Sequence, residues 1–226
     1  MELALIITYG LFLSFIFLYS LVQLRLAVSY MRSRKQRRAE QVPAHLAEWP
    51  HVTIQLPVFN ELYVVERLID AVAALDYPKD KLEIQVLDDS TDESVDVAAA
   101  KIREIQARGI DIVHVIRPER TGYKAGALAY GLERAKGEFT AVFDADFIPR
   151  TDFLRKTIPF FSDPEVGVVQ TRWEHLNEDY SLLTRLQAFG LDAHFSVEQA
   201  GRNTLGHFIN FNGTAGVWRN RCIQDA

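Results

Sequence analysis

Phe143-Asp144-Ala145-Asp146-Phe147 follows directly on the apolar run Thr140-Ala141-Val142-Phe143 and sets two carboxylates one residue apart. The run from Phe139 to Phe143 reads as a buried strand, so the acids mark the place where that strand leaves the core. In extended chain, residues i and i+2 face the same side. Asp144 and Asp146 then repel each other unless a positive charge lies between them or one of them stays protonated. A divalent cation removes the conflict. Two carboxylates are hard oxygen ligands suited to Mg2+ or Mn2+, with water and a substrate's phosphates completing the shell. Taken alone, an Asp-x-Asp is also a common solvated turn.

Outward from this stretch the pattern alternates. His51–Leu56 reads as a β-branched strand stopped by Pro57, and Asn60 is placed to cap a helix with Val64, Val65, Leu68, Ile69 and Val72 on one face. Leu82–Leu87 reads as a strand closing on Asp88-Asp89-Ser90, followed by a helix from about Asp92 to Gly109. Ile110–Ile116 is a third strand, and Lys124–Lys136 a helix stopped by Gly137. Beyond the opening stretch, Asp152–Phe161 reads as helix and Val166–Trp173 as extended chain. Tyr180–Gln199 reads as a longer helix with Leu182, Leu183, Leu186, Phe189 and Ala193 inward. Strands alternating with helices predict an α/β fold: a mostly parallel sheet, Rossmann-like, with helices on both faces. Ligands of such sheets sit beyond the carboxyl ends of the strands. Asp88, Asp89, Asp144 and Asp146 are all predicted at that rim.

The N-terminal segment is of another kind. Leu3–Leu24 contains no charged residue and as a helix spans a bilayer's roughly 30 Å hydrocarbon core. The basic cluster Arg32, Arg34, Lys35, Arg37, Arg38 follows it rather than preceding it, which favours a transmembrane helix over a signal peptide. Basic flanks prefer the cytoplasmic side, so the rest of the chain is expected in the cytosol. Residues 1–30 are thus expected to be a membrane span, 31–50 a basic linker, and 51–226 the globular domain. At 226 residues with nearly half apolar, the chain can bury a sizeable core. A net charge of −5 argues against a general nucleic-acid binder. The single cysteine, Cys222, allows no internal disulfide and points to a reducing compartment.

Two further stretches suit phosphate and nucleoside chemistry. Lys124 stands at a helix start in Thr121-Gly122-Tyr123-Lys124-Ala125-Gly126-Ala127-Leu128, where small residues let backbone approach a ligand and helix amides favour an anion. In Pro57-Val58-Phe59-Asn60-Glu61, Phe59 could stack on a base and Glu61 could accept hydrogen bonds from ribose hydroxyls. Each stretch alone also reads blandly, as a capping loop with a surface lysine and a helix cap with a core phenylalanine. His175, His194 and His207 lack cysteine partners at zinc-like spacing. Asp192 and His194, two apart on a helix, fall on different faces. Glu198 and Gln199 are candidates for the edge of an acceptor groove. Neither a Gly-x-Ser-x-Gly elbow nor a phosphate-binding P-loop pattern occurs.

PVFNE at 57–61, QVLDDSTD at 85–92, GYKAGAL at 122–128, FDADF at 143–147 and FNGTAGVWR at 211–219 occur in this order. As a set they resemble the processive family 2 glycosyltransferases of the cellulose and mannan synthase group. QTRW at 170–173 and LDAHFSVEQ at 191–199 are most similar to the mannan and glucomannan synthase branch. The resemblance covers about Val52 to Arg219. It implies a GT-A fold, a sugar nucleotide donor such as GDP-mannose or UDP-glucose, a β-linked polysaccharide acceptor, and transfer with inversion. It further implies Phe59 and Glu61 at base and ribose, Asp88 and Asp89 at the nucleoside, and Lys124 at the diphosphate. Asp144 and Asp146 would lie at the metal, and Phe211, Asn212, Gly213 and Thr214 at the acceptor end. In the family the general base and a Gln-x-x-Arg-Trp motif follow the FNGTAG stretch. Neither occurs before Ala226, so the chain is expected to be C-terminally truncated and no catalytic base is assigned. Transfer to a lipid acceptor and a non-catalytic sugar-nucleotide-binding module are the alternatives.

Overall fold

The apolar run after His51 forms strand β1, Val52–Val58, whose alternate side chains are buried on both faces of a sheet. The computed structural model describes residues 1–37, 46 and 48–224. In chain order the remaining elements of the sheet unit are α2 Val65–Ala73, β2 Leu82–Asp88, α3 Ser94–Ala107, β3 Asp111–Ile116, α4 Tyr123–Leu132, β4 Phe139–Val142, α5 Phe153–Thr157, β5 Val168–Gln170, β6 Gly216–Arg219 and α8 Asn220–Gln224. α1, Glu2–Arg37, and the pair α6, Leu182–Ala193, and α7, Ala200–Thr204, belong elsewhere. By internal contacts the chain forms two compact units, one from Met1–Gln41 with Arg172–Asn210 and one from Val42–Thr171 with Phe211–Ala226. The residues 172–210, read from sequence as part of the globular domain, thus group with the N-terminal helix.

In the sheet unit six strands lie in the order β3-β2-β1-β4-β6-β5. β1 to β4 are mutually parallel, and β6 runs antiparallel to both β4 and β5. The α/β expectation therefore holds, with one antiparallel strand built into a parallel sheet. Val52, Ile54, Leu56 and Val58 of β1 form one core with Leu68, Ile69 and Val72 of α2 and Ile102 and Ile105 of α3. On the opposite face Gln55 Nε2 donates to Gln85 Oε1 and to the Leu128 carbonyl of α4, both at 3.2 Å. Those buried amides are thereby satisfied where an unpaired one would be costly.

Several expected boundaries move. β1 continues through Pro57, because Gln55 and Pro57 face β4 and the β4 ladder ends at Gln55. The proline's missing N–H therefore breaks no bond. Asn60 does not cap α2: it takes a left-handed conformation, φ 58°, and its side-chain oxygen accepts from Thr91 N at 2.9 Å. The Asp152–Phe161 helix is α5 continued by a 3-10 stretch, Ile158–Ser162.

In the other unit, α1 extends to Arg37, past the expected end of the span, since Arg, Lys and Gln all propagate a helix well. Glu2–Ser33 is long and apolar enough to cross a membrane, by length and composition. The rest of the expected 31–50 linker falls largely outside the described residues. The Tyr180–Gln199 helix begins after Ser181, which caps it by accepting from Thr184 N at 3.2 Å, and α6 passes through a π-helical stretch, His194–Gln199, into α7. Its expected inward face is a correction: Leu182, Leu183, Leu186 and Phe189 are all exposed, and Ala193 is only half-buried. Ala188, Phe195 and Gln199 are the buried side chains of this segment. Periodicity reports that a helix has an apolar stripe; it does not report that protein covers the stripe.

Candidate functional site

Strand order reverses between β1 and β4, since the chain builds β2 and β3 to one side of β1 and then returns to place β4 on the other. Such a switch point opens a crevice beyond the carboxyl ends of the two strands. A cleft of about 420 Å³ lies there. Phe59 and Glu61 reach it from the end of β1, Asp89 from β2, Arg120 and Lys124 from the approach to α4, and Asp144 and Asp146 from the end of β4.

The opening pentapeptide is anchored by its aromatic residues. Phe143 is fully buried, stacks on Phe147 at 5.4 Å between centroids and meets Phe153 edge-on at 4.8 Å. Ala145 is also buried. The two aspartates reach the same cleft, but not by the expected extended geometry: the chain turns here, with Phe147 N donating to Asp144 O at 3.0 Å. Asp144 N donates to Thr214 Oγ1 at 3.0 Å.

Lys124 ties the two sides of this corner together. Its Nζ forms an ion pair with Asp144 and donates to the Gly213 carbonyl at 2.9 Å. α4 can start so close to its own approach because Gly126 has no side chain: a Cβ there would sit 2.0 Å from the Thr121 oxygen. The acidic groups meanwhile crowd one another. Partial burial, then the negative charges of Asp146 and Asp144, push the Glu61 carboxyl above its ordinary pKa.

Asp88 and Asp89, adjacent in sequence, have different surroundings. Asp89 lines the cleft, but both its oxygens are taken by Arg117, whose Nε and Nη2 donate at 2.7 and 2.6 Å. Arg117 also donates to the carbonyls of Thr121 and Tyr123, at 2.6 and 2.8 Å, and so braces the turn from which α4 starts. Asp88 is buried and is not part of the cleft wall: its oxygens receive His114 Nε2 and Ser90 N, at 2.8 and 2.9 Å. Burial alone would raise its carboxyl, yet the hydrogen bonds from His114 and Ser90 hold it below the usual carboxylate range. The loop after β1 is tied to the loop after β2 by Asn60 N donating to Ser90 Oγ at 2.9 Å.

Phe211, Asn212, Gly213 and Thr214 form the strap beside Lys124. Gln170 holds this strap, accepting from Asn212 N at 3.0 Å and donating to the Thr214 carbonyl at 3.0 Å. Phe211 turns away to pack edge-on against Trp218, 5.3 Å between centroids. Sequence reading missed Arg117, Arg120, His114 and Gln170. Arg120 lies with its guanidinium 3.4 Å from the centre of the Phe59 ring and 5.0 Å from that of Tyr123. For the arginines the signal was their place just ahead of the Lys124 stretch, unremarkable by itself, and Gln170 opens the QTRW stretch without a site role being assigned to it.

A divalent cation fits this corner. Asp144, Asp146 and Glu61 crowd one cleft, and of its two basic lining residues Lys124 pairs with Asp144 while Arg120 lies toward Asp89 and Phe59. Among the described residues no three such side chains form a ready-made cage, so an ion would take the aspartates as its protein ligands and draw on water and phosphate for the rest.

The model of glycosyl transferase family 2 matches residues 53–221. Over 185 residues the chain is 45% identical to glucomannan 4-beta-mannosyltransferase 2 of Arabidopsis thaliana, covering 80% of this chain and 35% of that protein. Glucomannan 4-beta-mannosyltransferase 1 of Oryza sativa subsp. japonica is 42% identical over 211 residues, 88% of this chain and 40% of that protein. The chain thus spans between a third and two fifths of the length of these curated relatives. Among solved structures, a mannosyltransferase from Pyrobaculum calidifontis in complex with GDP-Man and Mn2+ superposes with a TM-score of 0.65 at 24% identity, over 93% of this chain and 56% of that one. TarS residues 1–349 from S. aureus, in complex with UDP-GlcNAc, gives 0.54 at 16% identity, over 77% of this chain and 47% of that one. Both likenesses concern the fold, which is of the GT-A kind. With the family model matching residues 53–221, well over half of its length, this chain belongs to glycosyl transferase family 2.

Proposed function

We propose that the chain is the donor-binding part of a membrane-anchored, metal-dependent hexosyltransferase that extends a β-linked polysaccharide from a sugar nucleotide. The observation that carries the reading is the convergence of Phe59, Glu61, Lys124, Asp144 and Asp146, from separate strand ends, on one cleft of about 420 Å³. Phe59 would stack on the base and Glu61 would accept from the ribose hydroxyls. Asp144 and Asp146 would hold Mg2+ or Mn2+, which when bound offsets charge on the departing diphosphate. Lys124, at the first turn of α4, is placed to meet the same diphosphate, adding its charge to that of the helix amides. Asp89, which lines the cleft, would also act through Arg117 by fixing that turn, and Asp88, buried behind it, by fixing the loop after β2; both would support the nucleoside side. Phe211–Thr214 would border the acceptor end, where Gly213 already touches Lys124. Inversion requires a base for the acceptor hydroxyl, and no described residue is assigned to it.

The relatives' activity favours a mannosyl donor, GDP-mannose, over UDP-glucose. The α1 span would hold the catalytic unit at the cytosolic face, since its basic end leads into that unit. Calorimetry with GDP and UDP in the presence and absence of Mn2+ tests the reading. Metal-dependent binding that favours GDP is expected, and Asp144→Asn with Asp146→Asn should abolish it. Undiminished binding in that double variant defeats the metal assignment.

A further inference from the structure

The basic end of α1 forms a groove that the proposed reaction does not use. Leu21, Leu24, Arg25, Val28, Ser29, Arg32 and Ser33 recur at helical spacing and make one stripe. Together with Thr204 and Leu205 they line a cleft of about 510 Å³. α7 is held closely along this stripe. A Cβ on Gly201 would lie 2.9 Å from the Leu26 oxygen, and Ser33 Oγ lies 3.2 Å from Thr204 Oγ1.

The two ends of the groove differ in chemistry. Leu21 and Leu24 continue the apolar surface of a segment long enough to cross a bilayer. Arg25 and Arg32 are both exposed, lie two turns apart, about 10 Å along the axis, and flank Ser29 from either side. No Asp or Glu lines the groove, and among the described residues neither arginine has an ion-pair partner. Two like charges sharing one cleft without a carboxylate leave an anion-shaped deficit. The apolar wall beside them suits an acyl chain, which a free phosphate does not have.

We propose that this groove binds an anionic phospholipid, with its phosphate between Arg25, Ser29 and Arg32 and its chain along Leu21 and Leu24. The inference is independent of the glycosyltransferase reading. The test is native mass spectrometry of the full chain released from nanodiscs of mixed phosphatidylcholine and phosphatidylglycerol. The wild type should retain phosphatidylglycerol over phosphatidylcholine. Arg25→Gln with Arg32→Gln should lower that preference about 25-fold, from roughly fivefold per arginine. Ser29→Phe keeps both charges and fills the groove, so it should lose the retained lipid as well. Melting curves matching the wild type establish that the variants are folded, and should one variant fail to fold, the other decides. Equal retention of both lipids by the wild type overturns the proposal, as does retention that survives in a folded variant. Displacement of the lipid by inorganic phosphate alone overturns it too, since the groove would then be a simple anion site.

Discussion

Replacing Arg117 by methionine removes four hydrogen bonds at once while keeping most of the side chain's volume. Two of them go to the Asp89 carboxylate at 2.7 and 2.6 Å, and two to the carbonyls of Thr121 and Tyr123. The Arg117 and Asp89 side chains are each only 6% exposed, so water cannot simply replace the lost donors. Breaking one side of a buried ion pair costs about 3–5 kcal/mol. Both groups lie just beneath the surface, and the low end, about 3 kcal/mol, is the appropriate figure. For a chain of this size that corresponds to a melting temperature lower by about 6–12 °C. Tryptophan fluorescence melting of the detergent-solubilised chain measures it. Asp89→Asn in the Arg117→Met background removes a carboxylate left with only the looser pairing to Arg120 Nε at 3.7 Å and should recover part of the loss, giving a coupling in the double-mutant cycle. The same variant should weaken nucleoside diphosphate binding, because the turn that launches Lys124 is no longer braced. If Arg117→Met melts within about 2 °C of the wild type, the scale of an ordinary surface change, the pair is not holding the loop and the reasoning fails.

Arg120 covers one face of the Phe59 ring, and under the proposed reading a base stacking on that face displaces it. Arg120→Ala should therefore tighten GDP binding by about two- to fivefold, the worth of an exposed cation–π contact, as read by calorimetry; weaker binding would mean that the arginine instead contacts the nucleotide. Asp88 gives a pH signature. Its folded-state pKa is depressed, so its stabilisation is complete above the ordinary carboxylate value and is lost as pH falls through the depressed one. The melting gap between wild type and Asp88→Asn should be widest at neutral pH and close in acid, and a gap independent of pH would count against a charged Asp88.

Much of the sheet unit was legible because its signals are local. Alternating apolar runs and acids at strand ends each follow from rules that span a few residues, and the cleft's position follows from topology alone; the expected helix stop at Gly137 does not hold, since α4 ends at Leu132 and Gly137 instead lets the chain pass close to β1, where a Cβ would sit 2.4 Å from Thr53 N. The aspartates of residues 143–147 were placed correctly at the rim although the extended-chain rationale was not the operative one. The anchoring of Phe143 and Phe147 in the core turns the chain there and delivers both acids to the cleft.

What the amino-acid order determined by itself was the α/β class, the apolar N-terminal helix and the set of residue types available for binding a phosphorylated donor. Tertiary structure alone decided that Asp88 is buried against His114 while its neighbour Asp89 is held by Arg117. It also decided that Asn60 bridges two loops rather than capping a helix, and that the apolar stripe of α6 is left uncovered. Each of these depends on a partner that is distant in sequence or absent from the unit. A side chain's burial and charge partners are set by what the fold brings beside it, and no local pattern encodes that.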